Sequence, residues 1–124
     1  MPIQKINLQQ AYSTFSETWS PHIIGRLNGQ LVKIARVDGD FIWHDHPNED
    51  EGFLVIDGTL FIELENQTLE LTEGEFVVIP RGVRHRPFTK AEAKIMLFEP
   101  ESTVNTGPEE SDRTKRDLTD LSEG

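Results

Sequence analysis

The chain has 124 residues, enough for one compact domain, and it contains no cysteine, which excludes disulfides, thiolate metal ligands and a cysteine nucleophile. Twenty-two acidic residues against twelve basic ones give a formal net charge of −10. This charge repels phosphate backbones and anionic lipids, so we expect neither nucleic acid nor a membrane as a partner. No apolar run is long enough for a membrane span or a secretory signal, and a cytoplasmic location is the expectation.

Residues 1–30 carry only a weak pattern, which predicts one or two edge strands. Short apolar runs then alternate with turn residues from Leu31 to about Glu99; in order they read LVKIARV, FIWHDH, FLVI, TLFIEL, TLEL, EFVVI and AKIMLF. The Asp57-Gly58 pair between two of these runs is a hairpin signal. About seven strands with no helix-period segment between them predict an all-β barrel or sandwich, one domain over residues 1–100.

After Pro100 the composition becomes polar and mixed in charge. Such a segment buries too little apolar surface to fold on its own. We therefore predict that residues 101–124 form a polar tail that is either mobile or bound to a partner. A short helix near Arg113 to Leu121 is the ordered alternative.

The chemistry-bearing segment is HDHPNEDE. Residues two apart in a strand face the same side, so His44 and His46 point the same way and can converge on one ion. Glu51 follows a turn that can bring its carboxylate back beside them. Glu49 and Asp50 compete with Glu51 for this role.

A second element lies downstream, in the stretch GEFVVIPRGVRH. Gly74 opens a strand, Pro-Arg-Gly makes a tight turn, and His85 leaves that turn on a new strand. A barrel can bring His85 opposite the first two histidines, which completes a set of three histidines and one carboxylate. Imidazole with one carboxylate suits manganese, iron, zinc, nickel or copper, so we predict one divalent metal ion whose identity stays open.

These residues resemble the two motifs of the cupin superfamily. The first motif is a glycine, HxH, a glutamate and a second glycine, found here as Gly39, His44, His46, Glu51 and Gly58. The second is a glycine, five residues, PxG, two residues and a histidine, found here as Gly74, Pro80, Gly82 and His85. The sequence departs from the family in two places: the spacing between Gly39 and His44 is one residue shorter, and Thr89 stands where asparagine is usual.

The resemblance implies a cupin-type antiparallel β-barrel, also described as a double-stranded β-helix or jelly roll. It implies that His44, His46, Glu51 and His85 are the metal ligands, with Glu51 favoured over the neighbouring carboxylates. Small cupins of this type form dimers, so the resemblance also implies a homodimer.

Substrate contacts are predicted less directly. Alternation from Glu51 puts Phe53 on the face of the ligands, whereas Phe41 and Trp43 are expected to face away, toward a sheet or dimer interface. Either Lys33 or Arg36 is expected to point inward. The candidate substrate-binding residues, with ordinary core packing as the alternative, are Phe53, Phe76, Arg36 and Met96.

No serine triad and no glycine-rich phosphate loop accompany the metal set, so any chemistry is expected to come from the metal. The first hypothesis is a small metal-dependent enzyme of isomerase, lyase or oxygenase type that acts on a compact polar metabolite. The alternative is a non-catalytic module that binds a metabolite or sugar as a sensor. A scaffold with a purely structural metal ranks third. The fold itself does not choose among these functions.

Overall fold

Eight strands and one short helix make up the fold in the computed structural model, which describes residues 3–122. In chain order they are α1 (Leu8–Ser13), β1 (His22–Leu27), β2 (Gln30–Val37), β3 (Glu51–Asp57), β4 (Leu60–Glu63), β5 (Thr68–Leu71), β6 (Phe76–Ile79), β7 (Arg86–Phe88) and β8 (Ala93–Pro100). All the strand pairs are antiparallel. A five-stranded sheet has the order β1-β2-β8-β3-β6, and a three-stranded sheet has the order β5-β4-β7. The predicted all-β, jelly-roll architecture is confirmed.

Alternate residues of the strands fill the interior between the two sheets. On β8 every second residue from Ala93 to Glu99 is buried, and on β4 Leu60 and Ile62 close the opposite wall. This alternation gives a barrel with a single apolar interior. The main core cluster consists of Trp19, Ala35, Val37, Phe41, Phe53, Val55, Leu60, Ile62, Leu71, Ile79, Ala93, Ile95 and Leu97.

The N-terminal segment covers part of the outer face of the large sheet. Helix α1 buries Tyr12 against Ile34 of β2, and Met96 of β8 packs against the same cluster. The Asn7 side chain caps the helix by accepting a hydrogen bond from the backbone of Gln10. Of the predicted edge strands, β1 forms at the edge of the large sheet. Helix α1 was not predicted, because six residues are too few to show a helical period in the sequence. This helix is also too short to cross a membrane.

Thr89 ties together two loops of the barrel. The Thr89 hydroxyl accepts a hydrogen bond from the backbone N–H of Gly39 at 3.0 Å, and the Thr89 N–H donates to the Gly39 carbonyl at 2.9 Å. Gly39 has φ of +81°, a conformation that favours glycine. Threonine at the position where the family has asparagine therefore links the start of the first motif to the loop that follows β7.

Residues 101–122, which we call the C-terminal strap, pack along the barrel, and the short helix considered as the ordered alternative does not form. Leu121 and Thr119 each make a backbone hydrogen bond to Ile23 of β1, at 2.7 and 2.9 Å. The Ser102 hydroxyl donates to the Glu49 carboxylate at 2.7 Å. The strap is thus attached through hydrogen bonds to residues distant in sequence, and a mobile or partner-bound tail stays a prediction. Residues 123–124 of that tail lie outside the described residues.

Candidate metal centre

Backbone pairing brings the two histidine motifs together. His44 and His46 lie in the segment between β2 and β3, Glu51 begins β3, and His85 precedes β7. His44 and His85 form an antiparallel bridge, with N–H to carbonyl distances of 3.0 and 2.9 Å in the two directions. The Gly82 N–H also donates to the His46 carbonyl, so the tight turn of the second motif is fixed to the first.

The four predicted metal ligands converge on one point inside the barrel. Each offers one ligand atom, and these atoms all lie within 4.8 Å of one another. All four side chains are buried, with relative exposures from 1% to 4%. Oε1 of Glu51 lies 3.3 Å from Nε2 of His46 and 3.4 Å from Nε2 of His85. The exposed Asp50, which competed with Glu51 in the sequence, pairs with Arg81 instead.

Two of the imidazoles are oriented by backbone carbonyls. Nδ1 of His44 lies 2.9 Å from the carbonyl oxygen of Ile42, and Nδ1 of His85 lies 2.9 Å from that of Val83. A carbonyl only accepts, so both Nδ1 atoms carry the proton and donate it. Each neutral ring then presents the Nε2 lone pair, the arrangement that metal-binding histidines generally have.

Unpartnered acceptors show that these residues fit a cation. Among the described residues, Nε2 of His46, Nε2 of His85 and Oε1 of Glu51 are buried without a hydrogen-bond partner. Converging lone pairs buried without a proton or a cation between them are unfavourable. Three imidazoles and one carboxylate are a donor set for a divalent transition metal, so this cluster can hold such an ion.

The protonation of the cluster is set by burial and by its own charges. Burial, followed by the charge of His85, lowers the pKa of His44 from 6.5 to about 4. Burial alone would raise the pKa of Glu51, but its polar neighbours His46, His85 and Glu99 outweigh burial and hold that pKa well below its usual range. The metal-free site therefore favours a carboxylate and a neutral His44, the forms that bind metal.

A buried charge pair lies behind Glu51 and was not predicted as part of the site. Nζ of Lys33 on β2 lies 2.7 Å from Oε1 of Glu99 on β8, and each side chain is 1% exposed. Burial and the nearby Glu51 charge raise the pKa of Glu99 well above its usual range. One feature of the sequence could have revealed this pair: β2 and β8 each carry an ionisable residue at a position that faces inward. Of the two candidates on β2, Lys33 points inward, whereas Arg36, predicted to contact substrate, points outward.

An apolar cavity adjoins the metal ligands. It measures about 40 Å³ as the space open to the centre of a water molecule, enough for a few waters or part of a small organic molecule. Its walls are Trp19, Pro21, Ala35, Val37, Phe41, His44, Glu51, Phe53, Pro87, Ile95, Leu97 and Asn105. Asn105 comes from the C-terminal strap, so the strap completes the cavity that the barrel begins.

Of the candidate substrate-binding residues, only Phe53 lies in the cavity wall. Phe76 is 55% exposed on the outer face of β6, and Met96 is covered by α1. Arg36 donates to the backbone carbonyls of Tyr12 and Phe15 and pairs with Glu92.

The register explains why the phase of β6 was predicted incorrectly. Phe53 pairs with Val77 and Glu51 with Ile79, so the odd-numbered residues of β6 face inward and Phe76 faces outward. A one-residue change of phase moves a whole strand face to the other side of the sheet. The glycine-initiated run on β6 contains no feature that fixes this phase locally.

The orientation predicted for Phe41 is also wrong. Its ring lines the cavity, 5.3 Å from the His44 ring and 4.9 Å from the Trp19 ring, centroid to centroid. Strand alternation does not apply here because residues 40–44 form isolated bridges rather than a regular strand. Trp43 is half-buried and lies outside the cavity wall.

Comparisons with known proteins agree with this architecture. The family model of the cupin domain matches residues 31–99. An uncharacterized protein of Bacillus subtilis (strain 168), YdbB, is 32% identical over 81 residues, which cover 64% of this chain and 72% of that protein. The crystal structure of a cupin-2 domain containing protein from Shewanella frigidimarina is 44% identical, with a TM-score of 0.76, and the match covers 77% of this chain and 94% of that one.

A dioxygenase is among the similar proteins. Quercetin 2,3-dioxygenase of Bacillus subtilis is 35% identical over 65 residues, which cover 49% of this chain but only 19% of that enzyme.

Proposed function

This chain belongs to the cupin family, and we propose that it is a metal-dependent enzyme acting on a small organic molecule. The ion would be divalent manganese, iron, zinc or nickel, held by His44, His46, Glu51 and His85. One observation carries the proposal: His44 and Glu51 belong to the ligand cluster and also form part of the cavity wall. A molecule in the cavity therefore lies beside the ion.

The cavity favours a substrate with an apolar body. Trp19, Phe41 and Phe53 supply aromatic walls that can pack against a short alkyl group or the edge of a flat ring and exclude water from it. We therefore revise the compact polar metabolite predicted from the sequence to a small molecule that combines an apolar body with an oxygen donor. A bound divalent ion supplies polarisation of such an oxygen and, when redox-active, activation of dioxygen.

Among the isomerase, lyase and oxygenase classes, we place the oxygenase first. About half of this chain is similar to a quercetin dioxygenase, and the aromatic walls suit a phenolic compound. If the bound ion were six-coordinate, the four protein ligands would leave two positions, enough for a substrate oxygen and dioxygen. In this scheme the protein orients the substrate and keeps bulk water out.

Metal content of the tag-free protein tests the ligand set. We expect near-stoichiometric metal in the parent protein and a sharp loss in Glu51→Ala and His85→Ala. Asp50→Asn is the matched control, because Asp50 is a neighbouring carboxylate that pairs with Arg81 at the surface. A parent protein that takes up no metal, even when metal is added, would overturn the proposal.

Catalysis is tested separately with the iron(II) protein and catechol as the probe. Binding of nitric oxide under anaerobic conditions, read by electron paramagnetic resonance, reports an open coordination position. Oxygen consumption that requires both catechol and an intact Glu51 supports the oxygenase. Catechol binding without any oxygen consumption counts against it.

A non-catalytic binding or sensor module is the second candidate. One observation favours it: apart from His44 and Glu51, no residue in the described cavity wall titrates, so no separate acid or base faces the ligand. A metal centre that binds catechol reversibly and returns it unchanged is the outcome this function predicts.

We also propose that the protein is a homodimer that associates through β6. This strand is at the edge of the large sheet, and its outward residues Phe76 and Val78 are 55% and 49% exposed. An exposed edge strand with apolar side chains can pair with a second copy across a two-fold axis. Light scattering after size exclusion should give a dimer for the parent protein and a monomer for Phe76→Lys.

The absence of nucleic-acid and membrane partners and the cytoplasmic location remain predictions from charge and composition.

A further inference from the structure

Lys33 and Glu99 form a buried polar pair inside the barrel, next to the ligand Glu51. We propose that they are positioning residues that hold the Glu51 carboxylate in its metal-binding orientation. The proposal rests on the metal site proposed above. It assigns a role to two residues that lie outside the ligand set.

Strand register places the two glutamates side by side. On the β3–β8 pair, Gly52 lies opposite Phe98 and Phe53 opposite Leu97. One step along the same register brings Glu51 opposite Glu99, and both side chains are buried. The two carboxyl groups therefore lie side by side in the interior of the barrel.

Lys33 fixes Glu99 from the other side. Its ammonium group lies 2.7 Å from Oε1 of Glu99. Oε2 of Glu99 is buried and makes no hydrogen bond to a donor among the described residues, which leaves it as the oxygen available to Glu51. Lys33 therefore holds Glu99, and Glu99 lies next to Glu51 of the ligand cluster.

Stability alone does not explain this arrangement. Replacing a buried ion pair by apolar residues of similar volume is often neutral or stabilising. The inward neighbours Ala35 on β2 and Leu97 on β8 are apolar, so an apolar pair would suit these positions. What an apolar pair cannot provide is a polar contact to Glu51 that limits rotation of its carboxylate while Oε1 faces His46 and His85.

Cobalt(II) titration of the purified full-length protein, followed by visible absorption, tests the positioning role. We expect Glu99→Gln to weaken cobalt binding by about 10–100-fold, the usual cost of losing an outer partner of a metal ligand, and to shift the cobalt absorption bands. The double variant Lys33→Met/Glu99→Leu should fold with a melting temperature near that of the parent protein and show the same loss. Glu92→Gln, which alters the Arg36–Glu92 pair on the outer face, should match the parent protein.

The outcomes separate this role from the metal site itself. If the parent protein binds cobalt, Glu51→Ala loses it, and both Lys33/Glu99 variants retain parental affinity and spectrum, the positioning role is wrong and the metal site stands. A double variant that is stable but weak in metal binding supports the role, because a purely structural pair would not affect affinity once folding is restored. A parent protein that binds no cobalt would overturn both proposals.

Discussion

The barrel strands and the C-terminal strap both line the cavity beside the metal centre, but they are held in place differently. The strands carry Glu51 and Phe53 in continuous antiparallel ladders. The strap contributes Asn105, whose amide donates to the Arg113 carbonyl and accepts from the Lys115 N–H, so the side chain organises the strap's own loop. The barrel thus fixes the ligands through register, whereas the strap fixes one cavity wall through hydrogen bonds and a few contacts.

This difference suggests a division of labour. Substitutions in the barrel ligands should abolish metal binding, whereas substitutions in the strap should leave metal affinity intact and change access and stability. Substitutions on each side of this division should therefore differ in their effects on metal affinity and on stability, and loss of a metal ligand should have the largest effect.

Removing His85 should have the largest effect on metal affinity. The loss should exceed the about 10–100-fold that an outer partner of a ligand contributes, because a direct donor is removed. Isothermal titration with zinc(II) measures it. Arg84→Gln, next in the chain and paired with Glu109 of the strap, is the control and should keep the parental affinity. Equal losses in the two variants would contradict the division between ligands and strap.

The metal-free barrel should lose stability as the pH falls from 6.5 to about 4. The pKa of His44 is about 4 in the folded state against 6.5 in the unfolded state, so the unfolded chain takes up the proton first. The stabilisation is therefore complete above pH 6.5 and is lost toward pH 4. At about 1.4 kcal/mol per pKa unit, this gap corresponds to about 3 kcal/mol.

Urea unfolding of the chelated protein at intervals from pH 7.5 to 4 measures this dependence. His44→Asn should remove the part of the pH dependence of unfolding free energy that His44 contributes, so the plot against pH becomes flatter. A parent protein and variant with identical pH dependence would show that the buried imidazole is not responsible.

Gly107 of the strap should be more sensitive to substitution than a glycine in a barrel turn. It has φ of +61°, and a Cβ at this position would overlap the carbonyl oxygen of Asp45. We expect Gly107→Ala to cost about 1–3 kcal/mol, because it adds a steric clash to an unfavourable backbone conformation. Chelator-driven metal release should also become faster, since the strap lies against the segment that carries His46.

Gly29, in the turn between β1 and β2, is the matched control for this substitution. It has φ of +81°, but no atom lies within 4 Å of the position that a Cβ would take. Gly29→Ala should therefore cost only the backbone strain, about 1 kcal/mol, and leave metal release unchanged. A Gly107 variant that behaves like the Gly29 variant would mean that the strap does not press on Asp45.

The parts of the molecule that the sequence predicted are those governed by local rules. The run of strands from β2 to β8 follows from alternation and turn residues. The hairpin predicted at Asp57-Gly58 is wrong: the pair ends β3, but β3 pairs with β6 and β8, whereas β4 lies in the other sheet and pairs with β5 and β7. The predicted convergence of His44 with His46 is present, although the segment that carries them is not a regular strand. The inward phase of Phe53 also follows, because it is counted from Glu51 along one unbroken strand.

The parts that failed depend on register or on distant contacts. Phe76 and Phe41 were assigned to the wrong faces because the phase of β6 is set by its pairing with β3, and residues 40–44 are not a strand. The pairing of Lys33 with Glu99 was not predicted, because 66 residues separate them in the sequence. The attachment of the strap was missed for the same reason, since its partner Ile23 lies near the opposite end of the chain.

Substitution of Arg113 should have the smallest effect on stability, and it tests most directly whether the strap acts independently of the metal ligands. Its guanidinium donates to the carbonyl oxygen of Asp40 at 3.1 Å and lies 5.7 Å from the Trp19 ring centroid, so it joins the strap to the cavity wall. At such a partly exposed site, the hydrogen bond and the cation–π contact should together contribute about 1 kcal/mol. Arg113→Ala should lower the urea midpoint accordingly and leave zinc affinity unchanged. Arg113→Lys should recover only part of the loss, because an ammonium group lacks the planar fork that reaches a carbonyl and a ring together. Full recovery by lysine would mean that charge alone attaches the strap, and a loss of zinc affinity in Arg113→Ala would mean that the strap also supports the metal ligands.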